Sequence, residues 1–105
     1  MKASKRKALE KLGWKVSDAR EFLGLSDEEA MLIELKLLMA RSLKARRQGS
    51  HLSQEQLAKM LQSSQSRVAK MEAGDHSVSI ELLLRALLRL GTTRNELAKI
   101  IGAAA

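Results

Sequence analysis

The chain has 105 residues, enough for one modest hydrophobic core and not for two. Its 45% hydrophobic and 30% charged residues are ordinary globular material, and the complete absence of cysteine excludes disulfides, thiolate metal ligands and a sulfur nucleophile. The formal net charge is +7, the sign expected of a surface that meets a polyanion. Trp14 and Phe22 are the only aromatics, so Leu, Ile, Val, Met and Ala must fill the core. Proline is absent and Val, Ile and Thr are scarce, which favours helix over strand. The expected fold class is all-α.

The N-terminus, MKASKRKALEKLG, is basic but lacks the apolar stretch of a signal peptide, and no window approaches the roughly 18 apolar residues of a membrane span, so a cytoplasmic protein without membrane contact is expected. Residues 1–25 read as a basic, partly helical extension, with KRKALEKLG and SDAREFLG as short helices ending at Gly13 and Gly24. Lys2, Lys5, Arg6 and Lys7 suit a solvated tail better than a DNA-binding arm. Ser26 then opens SDEE, a capping box closed by Glu29, and a long helix is expected from about Asp27 to Gln48. Met31, Leu32, Leu35, Leu38, Met39 and Leu43 form its main apolar stripe and Ile33, Leu37 and Ala40 a second, for which Trp14, Phe22 and Leu23 are natural cover.

Ser53 starts a second helix, SQEQLAKML, with Gln56 completing another capping box. Ser64 caps a third, running to about Ala73, and Gly74 suits the left-handed position that follows. From Ser79 the run IELLLRALLRL is apolar almost all round, with Glu81, Arg85 and Arg89 as its charged strip. Gly91 ends it, and Thr93 with Glu96 caps a last helix holding Leu97, Ile100 and Ile101. A domain is therefore expected over 26–101, with 102–105 as a frayed tail.

Charge is distributed unevenly along these elements. Residues 1–35 hold seven Lys or Arg and seven Asp or Glu, residues 36–71 hold eight against one, and residues 72–105 hold four against four. All of the excess lies in the middle third, where two short helices joined by a tight turn have the dimensions of a helix-turn-helix. Leu57, Ala58 and Leu61 on the first, with Val68, Met71 and Glu72 on the second, point inward. That leaves Ser66, Ala69 and Lys70 outward, flanked by Gln65 and Arg67 near the end that enters a DNA major groove.

The segment LSQEQLAKMLQSSQSRVAKMEAG resembles the helix-turn-helix of the Xre family, the lambda-repressor-like domains of phage repressors and many bacterial regulators and antitoxins. The resemblance covers about residues 30–101 and implies a five-helix bundle acting as a dimer, here with an N-terminal extension. It implies a phosphate contact for Gln54, and base or phosphate contacts for Gln65, Ser66, Arg67 and Lys70. Ser64 is grouped with these, although capping alone accounts for it, and Lys59 projects from the second helix as a phosphate-binding point charge. In resembling repressors an Arg and a Glu at the places of Arg47 and Glu72 pair beneath the motif. The turn departs from the family, which carries glycine and then an apolar residue where this chain has Gln62 and Ser63.

The expected function is that of a sequence-specific regulator on double-stranded DNA, a repressor acting by occupancy as a homodimer on an inverted repeat, with Leu83, Leu84, Leu87, Leu97 and Ile101 at the dimer interface. The alternative is an antitoxin that binds a toxin protein through residues 1–25 or the stripe of Ile33, Leu37 and Ala40. Recognition of single-stranded RNA is disfavoured by the missing aromatic platforms. No enzyme, cofactor or metal is expected: His51 and His76 have no carboxylate or cysteine at ligand spacing, adjacent Asp75, His76 and Ser77 do not converge as a triad does, and no phosphate-binding loop is present.

Overall fold

The computed structural model describes Gly24 and residues 26–103. The expectations for residues 1–23 (the two short helices, the cover by Trp14, Phe22 and Leu23, and the basic arm) lie outside the described residues. Among the described residues every element is helical: α1 (Asp27–Gly49), α2 (Gln54–Met60), α3 (Gln65–Ala73), α4 (Ile80–Arg89) and α5 (Arg94–Gly102). The chain divides into two compact units, Met1–Glu34 and Leu35–Ala105, and the division falls inside α1.

In the first unit the start of α1 is capped as its sequence requires. The Glu29 backbone N–H donates to Ser26 Oγ at 3.1 Å, and the Ser26 hydroxyl donates in turn to Glu29 Oε1 at 3.0 Å. Asp27, Glu28 and Glu29 set three carboxylates against the positive end of the helix dipole. Met31 and Leu32, expected on the main buried stripe, are instead about half exposed, whereas Ala30 is buried.

In the second unit the buried part of α1 is Leu37, Met39, Ala40 and Leu43, which draws on both of the expected stripes. The reason is the small side chain of Ala40: a Cβ placed on Gly74, at the end of α3, would lie 3.7 Å from the Ala40 Cβ and 3.0 Å from Leu37 Cδ2. α3 therefore closes on the face that sequence periodicity ranked second. Around it the core gathers Leu57 and Ala58 of α2, Val68 and Met71 of α3, Val78, and Leu83, Ala86 and Leu87 of α4. Leu43, Leu57, Leu83 and Leu87 are fully buried, each contributing about 1.5–3 kcal/mol by transfer from water.

That burial corrects part of the expected dimer surface. Leu83 and Leu87 belong to the core of their own chain and offer nothing to a second copy. On α4 the positions three and four apart, Leu83, Ala86 and Leu87, share the inward face, and Ala86 lets the helix approach closely. The apolar excess that made α4 look two-sided survives as Leu88, 55% exposed, while Leu84 is half-buried and packs against the core.

Candidate nucleic-acid interface

α2 is fixed at its start by a complete capping box, in which the Gln56 N–H donates to Ser53 Oγ at 3.1 Å and the Ser53 N–H donates to Gln56 Oε1 at 2.8 Å. Its other end turns without glycine. The Ser63 N–H donates to the Ala58 carbonyl at 2.8 Å and the Gln62 N–H to the Lys59 carbonyl at 3.2 Å, while Gln62 takes the left-handed φ of 54° that this Schellman pairing demands. A side chain there costs about 1–2 kcal/mol. Two residues after Gln62, Ser64 caps α3, accepting from the Arg67 N–H at 3.2 Å and sharing a hydrogen bond with the Ser66 hydroxyl.

α3 is thereby sharply two-faced. Val68, Met71 and Glu72 are buried. Gln65, Ser66, Arg67 and Lys70 are exposed along the opposite face and its N-terminal end, and Lys59 is exposed on α2. The Ser64 hydroxyl is occupied by the cap, whereas the side chains of Gln65 and Arg67 make no hydrogen bond or ion pair with the described residues.

Beneath α3 lies an ion pair between two groups twenty-five residues apart. Arg47 Nε donates to Glu72 Oε2 at 2.6 Å and Arg47 Nη2 to Glu72 Oε1 at 3.0 Å, with only 11% and 3% of the two side chains exposed. The hydrogen bonds it donates to Glu72 hold the Arg47 guanidinium above its ordinary pKa against the opposing effect of burial. Arg47 Nη1 also donates to the Leu52 carbonyl at 2.8 Å, and Gln54 Nε2 donates to Glu72 Oε1 at 3.2 Å. The last turn of α1, the loop, the start of α2 and α3 are thus joined at one carboxylate. Half-buried Gln54 uses one of its two amide protons on Glu72 and keeps the other.

A second clamp was not visible in the sequence. Arg46 Nε donates to the Leu90 carbonyl at the end of α4 at 3.2 Å, and Nη1 meets Glu96 Oε2 at 2.5 Å. That bond, with those from the Thr93 backbone and hydroxyl, holds the Glu96 carboxyl below the usual carboxylate range. Glu96 reads from sequence as a helix cap only, and a fifty-residue separation leaves no periodic signal.

These two pairs change what the basic middle third means. Two of its eight cations, Arg46 and Arg47, are neutralised internally by Glu72 and Glu96. Arg41, Lys44, Lys59, Arg67 and Lys70 remain exposed. Asp75, His76 and Ser77 form a turn: Asp75 Oδ2 accepts from the Ser77 N–H at 3.0 Å and from its hydroxyl at 2.5 Å, and the exposed His76 ring stands 3.7 Å away. Among the described residues no group of three or more His, Asp or Glu is placed to hold a metal ion, and no helix is long and apolar enough to cross a membrane.

Comparison with known proteins gives one match, a family model described as helix-turn-helix, over residues 43–97. No curated protein and no solved structure matches the chain. The matched span is more than half of the chain and runs from the last turns of α1, through the Arg47 and Arg46 clamps, to the first turn of α5. The chain accordingly belongs to the helix-turn-helix family of Xre, lambda-repressor-like type, and is a DNA-binding transcriptional regulator.

Proposed function

We propose that this regulator is a repressor that binds a specific inverted repeat as a homodimer and acts by occupying it. The observation that carries the reading is the contrast between the two faces of α3. One face is pinned to α1 and α2 through Glu72, and the other presents Gln65, Ser66, Arg67 and Lys70 to solvent. A rigid helix with free side chains near its N-terminal end is what base reading in a major groove requires. Gln65 and Arg67 read base edges through paired hydrogen bonds, while Gln54, through its remaining amide proton, and Lys59 meet phosphate. Ser64 contributes through the cap that orients the others. Leu84, Leu97, the exposed Leu88 and Ile101, at 45% exposure, supply the apolar surface of the dimer.

The test is selection of sites from random duplex DNA, followed by titration of variants at several salt concentrations. Arg67→Ala costs about 1–3 kcal/mol on the selected site and much less on scrambled DNA, whereas Lys59→Ala weakens both alike and lowers the salt slope by about one. Equal losses for Arg67→Ala on both duplexes overturn its role as a base reader.

A second reading, an antitoxin that also silences a toxin protein, draws on Met31 and Leu32, two adjacent large apolar side chains about half exposed near the start of α1. Co-expression with the product of a short adjoining reading frame tests it. Growth rescue lost in Met31→Glu/Leu32→Glu supports it, and a frame without toxicity removes it.

A further inference from the structure

Between the α2–α3 turn and α4 lies an open groove of about 320 Å³. Its apolar lining comes from Leu61, Met71, Leu82 and Ala86, and three arginines, Arg67, Arg85 and Arg89, line it as well. Gln62 and Ser63 complete the wall from the turn. No carboxylate lines the hollow. Arg67 and Arg89 make no ion pair with the described residues, and Arg85 meets Glu81 only at 3.5 Å with both side chains about three-quarters exposed, a contact worth little in water. Elsewhere the chain neutralises its neighbouring arginines with care, giving Arg46 and Arg47 a carboxylate each. Around this groove it leaves three arginines lining a volume at the lower end of small-ligand sites, beside apolar side chains that suit carbon.

We propose that the groove binds a small organic anion, a carboxylate or phosphate carried on an apolar body, and that its occupant competes with DNA for Arg67. The anionic head meets the guanidinium groups, which suit planar, paired hydrogen bonding to such groups, and the apolar body covers Leu61, Met71 and Leu82. A phosphate of DNA lacks that body, and a polypeptide partner spreads its charge beyond so short a hollow. Binding at the groove stands on the geometry alone; the competition rests on the base-reading role proposed for Arg67.

The test titrates the isotopically labelled full chain with phenyl phosphate, and separately with inorganic phosphate, at constant ionic strength while amide shifts are followed. The comparison protein is Arg85→Gln/Arg89→Gln, two exposed positions where unchanged shifts away from the groove report an intact fold. Phenyl phosphate gives saturable shifts confined to residues 61–67 and 82–89, inorganic phosphate binds at least about fivefold more weakly, and the double variant binds phenyl phosphate at least about tenfold more weakly. Saturating phenyl phosphate weakens binding of the selected duplex at least about fivefold in the parent chain and less than about twofold in the variant, with sodium chloride at matched ionic strength as the reference. Shifts that never saturate, or equal affinities in the two proteins, overturn the site. Shifts at the same amides on raising protein concentration without any probe assign the groove to a second copy and also overturn it. Saturable binding with unchanged DNA affinity overturns the competition and leaves the site standing. A chain that selects no duplex removes the base-reading role, and with it the competition, while the titration still decides the groove.

Discussion

Glu72→Ala removes the one acidic partner, among the described residues, of a guanidinium whose side chain is only 11% exposed. Arg47 then keeps one of its three hydrogen bonds, to the Leu52 carbonyl, and Gln54 loses its bond to the same carboxylate. Two charge-assisted bonds at about 1.5–3 kcal/mol each, reduced because partial water entry relieves some of the stranded charge, place the loss at about 3–5 kcal/mol. A folded unit of this size has roughly 4–12 kcal/mol in total, so the variant is marginal. In urea unfolding followed by helical circular dichroism, its midpoint drops accordingly, and thermal melting falls by at least about 12 °C. The double change Arg47→Met/Glu72→Leu leaves no stranded charge and is expected within about 1–2 kcal/mol of the parent, the remaining loss reflecting the bonds lost by Gln54 and by the Leu52 carbonyl. Its DNA affinity is a separate readout, because α3 would then be packed but no longer tied at its carboxylate to α2. A Glu72→Ala protein that melts like the parent refutes the account, as does a double variant as damaged as the single one.

The turn offers a paired test: Gln62→Gly relieves a left-handed side chain at φ 54° and stabilises by up to about 1 kcal/mol, whereas Gly74→Ala, at φ 65° with its Cβ 3.0 Å from Leu37 Cδ2, destabilises by at least about 1–2 kcal/mol. Opposite signs in denaturant midpoints are the expected result. Asp75 is held down to about 2, first by the Ser77 hydroxyl and then by its backbone N–H. Its folded value lies below its unfolded one, so its contribution is complete above about pH 4 and is lost as pH falls toward 2, and Asp75→Ala flattens that part of a stability-against-pH curve. Leu88→Glu, at a residue 55% exposed, is expected to abolish the proposed dimerisation in sedimentation without unfolding the chain, whereas Leu83→Glu is expected to unfold it.

The helix starts were legible because they are local. Ser26, Ser53, Ser64, Ser79 and Thr93 each cap a helix within three residues of where the sequence put it, and the side-chain oxygen that receives the N–H is a property of those few residues alone. The inward face of α3 was legible for the same reason, since Val68, Met71 and Glu72 follow one helical period. What failed was choice among several apolar faces. Periodicity showed that α1 has two stripes and α4 more than one, but which stripe a neighbour covers depends on small residues such as Ala40 and Ala86 that permit close approach, and apolarity scores rank those lowest. The Arg46 clamp and the arginine-lined groove join residues distant in sequence, so neither leaves a local mark.

Arg46 and Arg47 are neighbours in sequence, yet their side chains hold different pairs of helices, one closing on the end of α4 and on α5 and the other on the loop before α2 and on α3. Their partners Glu96 and Glu72 lie 50 and 25 residues downstream. Bonds across such separations are expected to close late in folding, after capped helices and the short α2–α3 hairpin have formed. Substitutions at either clamp should therefore leave the folding rate almost unchanged and appear in the unfolding rate. The two arginines act as latches: they govern how long the folded regulator lasts once made, and hardly at all how quickly it is made.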